Sequence, residues 1–153
     1  AWLLHVSDLT LDSLYAMDGK SKTGVDFYDA AVARATNGAT VALSGSATVP
    51  KQRGMHMDIR IYGTEGMIAF DCEAGRARLD LSRLDGKDET AILSPDEAEY
   101  DGALPVRIFA ALCAGKPVTN AANAENGARV TETLDALYRS ARSGKLERIG
   151  GQA

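Results

Sequence analysis

The sequence predicts an α+β domain, a mostly antiparallel, open-faced sheet with helices packed on one face. Three observations lead there. Asn37-Gly38 separates two stretches rich in Val, Ala, Thr and aromatics, a strong hairpin signal because both positions tolerate positive φ. Residues 55–93 are a run of short strand patterns broken by Gly- and Asp-bearing turns. The last third of the chain then changes to helical periodicity.

In chain order, Ser7 or Asp8 can cap a helix, and Leu11, Leu14 and Tyr15 recur at helical spacing until Gly19, which predicts a helix over roughly residues 7–18. Residues 25–36 and 39–47 form the hairpin about Asn37-Gly38. The segment 55–62 (MHMDIRIY) alternates apolar and polar at every step, so Met57, Ile59 and Ile61 should face a core while His56, Asp58, Arg60 and Tyr62 occupy the other face. Turns at Gly63–Gly66, Gly75 and Asp85-Gly86 lead into strands at 67–72, 76–83 and 89–93, an antiparallel meander. Val106, Phe109 and Leu112 make a short apolar face behind Pro105, ended by Gly115 and Pro117. From about Asn123, the residues Val130, Leu134, Leu137, Tyr138 and Ala141 mark a long amphipathic helix closed by Gly144, and Leu146–Ile149 returns as a final strand.

At 153 residues, with 45% hydrophobic and 25% charged residues, the chain is expected to be one soluble domain with one core, folding without staples or metals. The net charge of −4 has acids and bases interspersed, with no basic stripe, which argues against a nucleic-acid partner. Cys72 and Cys113 sit in no ligand spacing and in apolar surroundings, so they are expected as buried thiols in a reducing cytoplasm. No apolar run reaches the ~18–20 residues of a membrane span, and no basic flank marks a secretory signal. The opening residues 1–4 (AWLL) carry no initiator Met and run straight into a helical pattern, which suggests a fragment of a longer protein.

Most chemical signatures are missing. There is no GxGxxG or GxxxxGK[ST], and Gly63-Thr64-Glu65-Gly66 joins two strands and carries an acid, so it reads as a structural turn; no cofactor is expected on this chain itself. Two histidines, His5 and His56, in no ligand spacing give no metal site, and no Ser lies in a nucleophile elbow. His5, Asp8 and Asp12 at i, i+3 and i+7 would share one helix face, where a carboxylate could orient an imidazole for proton transfer. On the residues alone the commoner arrangement is a cap at Asp8, a solvated Asp12 and a terminal His5 without a role. Lys51, Gln52 and Arg53 form a polar loop of the kind that gathers ligand-binding residues.

Four stretches, 3–19 (LLHVSDLTLDSLYAMDG), 25–46 (VDFYDAAVARATNGATVALSGS), 59–70 (IRIYGTEGMIAF) and 134–149 (LDALYRSARSGKLERI), together resemble the C-terminal domain of the Gfo/Idh/MocA oxidoreductases. That family is named for glucose-fructose oxidoreductase, inositol dehydrogenase and a rhizopine-catabolism protein. Its strand, N-G turn, strand, "yGteG" turn and helix with a "YRSA..G" ending occur here in the family's order, over nearly the whole chain. The resemblance implies a missing N-terminal Rossmann domain that holds NAD or NADP and supplies a catalytic lysine. The present domain would then shape a pocket for a sugar, polyol or related hydroxyl-bearing substrate and mediate a homodimer or higher homo-oligomer through the open sheet face.

The family helix aligned with Leu3–Gly19 usually carries an Asp and, four residues later, a His. Matched on Asp12 and Gly19, those positions fall on His5 and Leu9. Leu9 cannot transfer a proton, so the resemblance leaves His5 and Asp8 as catalytic candidates, with Asp12, Lys51 and Arg53 as substrate-binding candidates. The alternative is a non-catalytic dimerisation or ligand-binding module on the same fold.

Overall fold

A computed structural model of the chain describes residues 1–48, 57–71, 77–94 and 101–150. They fall into two compact units, Ala1–Thr48 with Ile108–Ala153, and Val49–Arg107.

The first unit contains α1 (Trp2–Ser7), β1 (Leu11–Lys20), β2 (Asp26–Ala35), β3 (Thr40–Ser46), the long helix α3 (Ala124–Ser143) and β8 (Glu147–Arg148). Its strands form a four-stranded antiparallel sheet in the order β3-β2-β1-β8. The β2–β3 hairpin turns where expected, with the Gly38 N–H donating to the Ala35 carbonyl at 2.9 Å and Gly38 at φ 89°, a left-handed value that costs glycine nothing. Pairing Leu14 with Ala33 and Ala16 with Ala31 puts these four residues on one face, and the intervening pairs Tyr15 with Val32 and Met17 with Ala30 on the other. The first face is buried under α3, whose Ala136 and Ser140 have no exposed surface. Leu4, Leu11, Leu14, Ala16, Ala31, Ala33, Ala35 and Ala136 form the core, so much of the helix–sheet contact is made by alanines.

α3 is well terminated. The Asn123 side chain accepts from the Asn126 N–H at 2.8 Å, and Gly144 closes the helix at φ 66° with its N–H on the Ser140 carbonyl. The Ser140 hydroxyl accepts from the Ala16 N–H at 2.9 Å and donates to the Lys145 carbonyl at 2.6 Å, tying the helix to β1 and to the chain that leads into β8.

The helix expected over residues 7–18 is not formed. The helix is α1, which stops at Ser7, and residues 11–20 are strand β1. A bulge between Leu11 and Ser13 shifts the register, so Leu11, Ser13 and Leu14 are all buried and imitate helical spacing inside a strand.

The second unit holds β4 (Asp58–Tyr62), β5 (Gly66–Asp71), β6 (Arg78–Arg83) and β7 (Glu89–Ile92), an antiparallel meander in sequence order. Ile59, Ile61, Ile68, Phe70, Leu79 and Leu81 pair across it on one face. Asp58, Arg60 and Tyr62 lie on the other, as their alternation predicts, and Asp58 and Arg60 form an ion pair there. In the β4–β5 turn a side chain at Gly66 would come within 2.2 Å of the Ser82 carbonyl oxygen, which explains the second glycine of GTEG. The described strands thus build two antiparallel sheets where the sequence pattern showed one succession of strands.

Helix α2 (Leu104–Cys113) buries none of its residues. Cys113 at its end is an exposed free thiol, contrary to the burial expected of it, because the helix around it is itself uncovered; Cys72 lies outside the described residues.

Candidate functional site

Two places gather polar side chains around a concavity or a strained backbone. The first is the corner where α1 meets β1. The Ser7 hydroxyl donates to the Leu3 carbonyl at 2.7 Å and accepts from the Leu9 N–H at 3.3 Å, drawing the helix end into a turn. Asp8 then takes φ 50°, ψ 25°, and is the one non-glycine residue at positive φ among the described residues. Aspartate tolerates this conformation better than most residues, and strain of this sort gathers at functional sites.

Arg129, from α3, holds the corner. Its guanidinium donates to the Leu9 carbonyl and stands 3.6 Å from the Asp8 carboxylate. The Asp8 side chain is 98% exposed, so the ion pair contributes little stability, and the bond to the Leu9 carbonyl is the firmer tie. Sequence reasoning passed over Arg129. Its signal was a charge on the inward stripe of α3, about one, two and three turns before Thr133, Ala136 and Ser140, all of which are buried.

The structure separates the three residues expected on one helix face. His5 is exposed in the last turn of α1, Asp8 is the left-handed residue after it, and Asp12 is on β1. Among the described residues no hydrogen bond joins His5 to Asp8. Asp12 pairs with Arg148, and its backbone carbonyl accepts from the Ile149 N–H at 2.9 Å, so this residue secures β8. The helix to which Asp12 and Gly19 were matched does not extend to them, because both lie in β1. Lys51, Gln52, Arg53 and His56 lie outside the described residues.

The second place is a cleft of about 310 Å³ between α3 and the first sheet. Ala16, Ala31, Leu43, Leu134, Leu137 and Ala141 make it apolar, and Asp18, Asp26, Asp29 and Tyr138 stand among its lining. The Tyr138 hydroxyl donates to Asp26 at 3.3 Å, and Lys20 pairs with Asp18 at 2.9 Å. The Asp18 carboxylate, by hydrogen bond and by charge, holds the Lys20 ammonium above the ordinary lysine value, with smaller contributions from Asp26 and Tyr138. Asp29 leans over Gly45, where a β-carbon would lie 2.6 Å from its carboxylate oxygen.

Among the described residues no group of three His, Cys, Asp or Glu side chains could hold a metal ion, and no helix is long and apolar enough to cross a membrane. Gly63–Gly66 joins β4 to β5 and offers no helix N-terminus to a pyrophosphate, so these residues do not fit a dinucleotide.

No family profile and no curated protein sequence matches the chain. Solved structures do. A Thermotoga maritima protein classed as an oxidoreductase is 18% identical with a TM-score of 0.72 over 97% of this chain and 43% of its own. Levoglucosan dehydrogenase, solved with NADH and L-sorbose, is 17% identical with a TM-score of 0.70 over 93% of this chain and 45% of its own. The WlbA dehydrogenase from Bordetella pertussis, solved with NADH and UDP-GlcNAcA, is 19% identical with a TM-score of 0.63 over 93% and 41%. This chain spans less than half the length of each. Its two antiparallel sheets and their helices have the fold of the C-terminal domain of Gfo/Idh/MocA-type oxidoreductases.

Proposed function

We propose that this chain is the substrate-side domain of an NAD(P)-dependent oxidoreductase of the Gfo/Idh/MocA type, acting on a sugar, polyol or related hydroxyl-bearing substrate. The observation that carries the reading is one of coverage: 92–97% of the chain superposes on oxidoreductases while more than half of each remains unmatched, room for a nucleotide-binding half. The nicotinamide cofactor belongs to that half, a Rossmann domain that also supplies the lysine, and the chain alone is inert and cytoplasmic. Here the α1–β1 corner faces the chemistry. His5 is the candidate acid/base group, Asp8 the carboxylate beside it, and Lys51 and Arg53 are candidates for the substrate's polar groups.

The experiment has two arms. Calorimetry with NAD and NADP should show no saturable binding to the 153-residue chain and micromolar binding to the protein joined to a Rossmann half. In that joined protein, His5→Ala should lower turnover by about 10²–10⁴, the usual loss for a positioned acid/base group. Turnover within a few-fold of the parent would move the proton to the lysine and make His5 structural. The loss of the expected helical face, with Asp12 held by Arg148, is what favours a non-catalytic binding module as the second reading. A joined protein that binds nucleotide and oxidises no polyol would support it.

The chain is further proposed to form a homodimer or higher homo-oligomer through an open sheet face. On the first sheet Tyr15, Met17, Tyr28 and Val32 are exposed, an apolar surface that suits association better than the ion-paired face of Asp58 and Arg60. Light scattering on Val32→Glu and Arg60→Glu distinguishes the two faces, the first variant being expected to dissociate.

A further inference from the structure

The dipeptide Asn-Gly occurs twice, at Asn37-Gly38 and at Asn126-Gly127. An asparagine followed by glycine is open to attack by the next main-chain nitrogen, because glycine puts no side chain in the way. The reaction balances with water alone. The glycine N–H gives up its proton, the nitrogen bonds to the asparagine Cγ, and the Cγ–Nδ2 bond breaks. That proton leaves with the amide nitrogen as ammonia, and a cyclic imide remains. Water opens the imide at Cγ, giving aspartate, or at the main-chain carbonyl carbon, giving isoaspartate with an extra methylene in the backbone.

We infer that Asn37 is a deamidation site and that Asn126, with the same neighbour, is spared by the fold around it. In both pairs the glycine N–H is engaged, Gly38 with the Ala35 carbonyl at 2.9 Å and Gly127 with the Asn123 carbonyl at 3.0 Å, so that bond does not separate them. The side-chain carbonyl does. The Ala39 N–H donates to Asn37 Oδ1 at 3.0 Å, where it draws charge from Cγ and stabilises the negative oxygen that forms during attack. Asn37 and Gly38 are also exposed, at the tip of a hairpin that leads into the outermost strand of its sheet, so water reaches the turn and opening it disturbs little else. Asn126 is 7% exposed in the first turn of α3. Its Oδ1 is buried with no hydrogen-bond partner among the described residues, and its Nδ2 donates to the Ala121 carbonyl at 3.2 Å. A negative oxygen there would be desolvated and unpaired, and the leaving amide is tied down. The product at Asn37 falls on the hairpin closure. Isoaspartate lengthens the backbone between Thr36 and Gly38, against the 2.8 Å bond from the Ala35 N–H to the Ala39 carbonyl, whereas aspartate keeps an oxygen for the Ala39 N–H. Covalent ageing of the chain therefore loosens β3 first.

The test is to incubate the whole 153-residue chain in mildly alkaline buffer, folded and in urea sufficient to unfold it, and to count aspartate and isoaspartate at both positions by peptide mapping and mass spectrometry. In the folded chain, conversion at Asn37 should exceed that at Asn126 by about tenfold or more, since the helical pair reacts only when the start of α3 opens. In the unfolded chain the two should convert at nearly equal rates. A smaller ratio in the folded chain, or conversion led by Asn126, would overturn the inference. So would a ratio that persists in urea, which would assign the difference to neighbouring residues in the sequence and not to the fold.

Discussion

The two sheets are built to one plan and differ in what covers them. Both are four-stranded and antiparallel, and each turns one set of apolar side chains to a common face, with the alternation of the first broken by the bulge in β1. In the β3-β2-β1-β8 sheet the apolar face lies under α3 and supplies six of the nine buried apolar side chains among the described residues. In the β4–β7 sheet six large apolar residues share a face, yet Ile68 and Leu79 are each 37% exposed and, among the described residues of that unit, only Ala77 is buried. Alternation alone makes a face; a helix laid on it makes a core. Stability should therefore be unequal between the units, and sensitivity to substitution should follow cover rather than residue type.

The sharpest way to break this comparison is to shorten one leucine and one isoleucine. Leu14 is 1% exposed, so Leu14→Ala should cost about 3 kcal/mol in chemical denaturation of the first unit. Ile61→Ala, on the half-covered face, should cost no more than about half as much. Equal losses would refute the contrast. Gly66→Ala reverses the expectation locally, since the added carbon meets backbone that cannot rotate away; about 2–3 kcal/mol should be lost from the second sheet, read as faster amide exchange in β5 and β6 and not in β1.

A smaller effect belongs to Ser140. Removing its hydroxyl leaves the Ala16 N–H and the Lys145 carbonyl without their partner in a buried setting, so Ser140→Ala should cost about 2 kcal/mol and loosen β8 first. Asp8→Gly should act in the opposite direction, relieving a left-handed residue and raising the melting temperature by the equivalent of less than about 1 kcal/mol. Should the same substitution abolish turnover in a protein joined to a Rossmann half, Asp8 is retained for chemistry at the expense of stability.

The smallest effect is acid sensitivity, and its sign is fixed. The Asp101 carboxyl is held below the usual range by the Ala103 backbone N–H and then by Arg107, and the Asp85 carboxyl by Arg83 and then by the Lys87 backbone. A carboxyl depressed in the folded state stabilises above its unfolded value, about 3.9, and that contribution is lost as pH falls through the lower folded value. The turn at Asp101 before α2 and the β6–β7 turn should consequently persist at pH 5 and loosen only below the ordinary carboxylate range, a change that amide exchange or side-chain carboxyl NMR can follow.

Much of this architecture was legible in the sequence where local chemistry and tertiary demand agree. Asn37-Gly38, the GTEG turn, the alternation of residues 58–62 and the Asn123 to Gly144 helix each carry their own geometric reason. The first element was misread because a bulge inserts one residue between Leu11 and Ser13, and period two interrupted once resembles period three to four over a short stretch. That error produced the shared face of His5, Asp8 and Asp12, which existed only on the expected helix. Arg129 was invisible for another reason, since its partners, Asp8 and the Leu9 carbonyl, lie 120 or more positions away and sequence spacing conveys nothing about them.

The alanines at the helix–sheet contact have one further consequence. Ala16, Ala31, Ala33, Ala35 and Ala136 bring little volume to the core, and cohesion here comes from how near two backbones lie. Such a contact is less forgiving of growth than of loss. Ala136→Leu would act as a wedge, prising α3 from the strands and breaking the Ser140 bridge to Ala16 before any side chain was left uncovered. Sequence drift across this seam should accordingly be confined to glycine, alanine and serine, while the leucines around it exchange more freely with other large apolar residues.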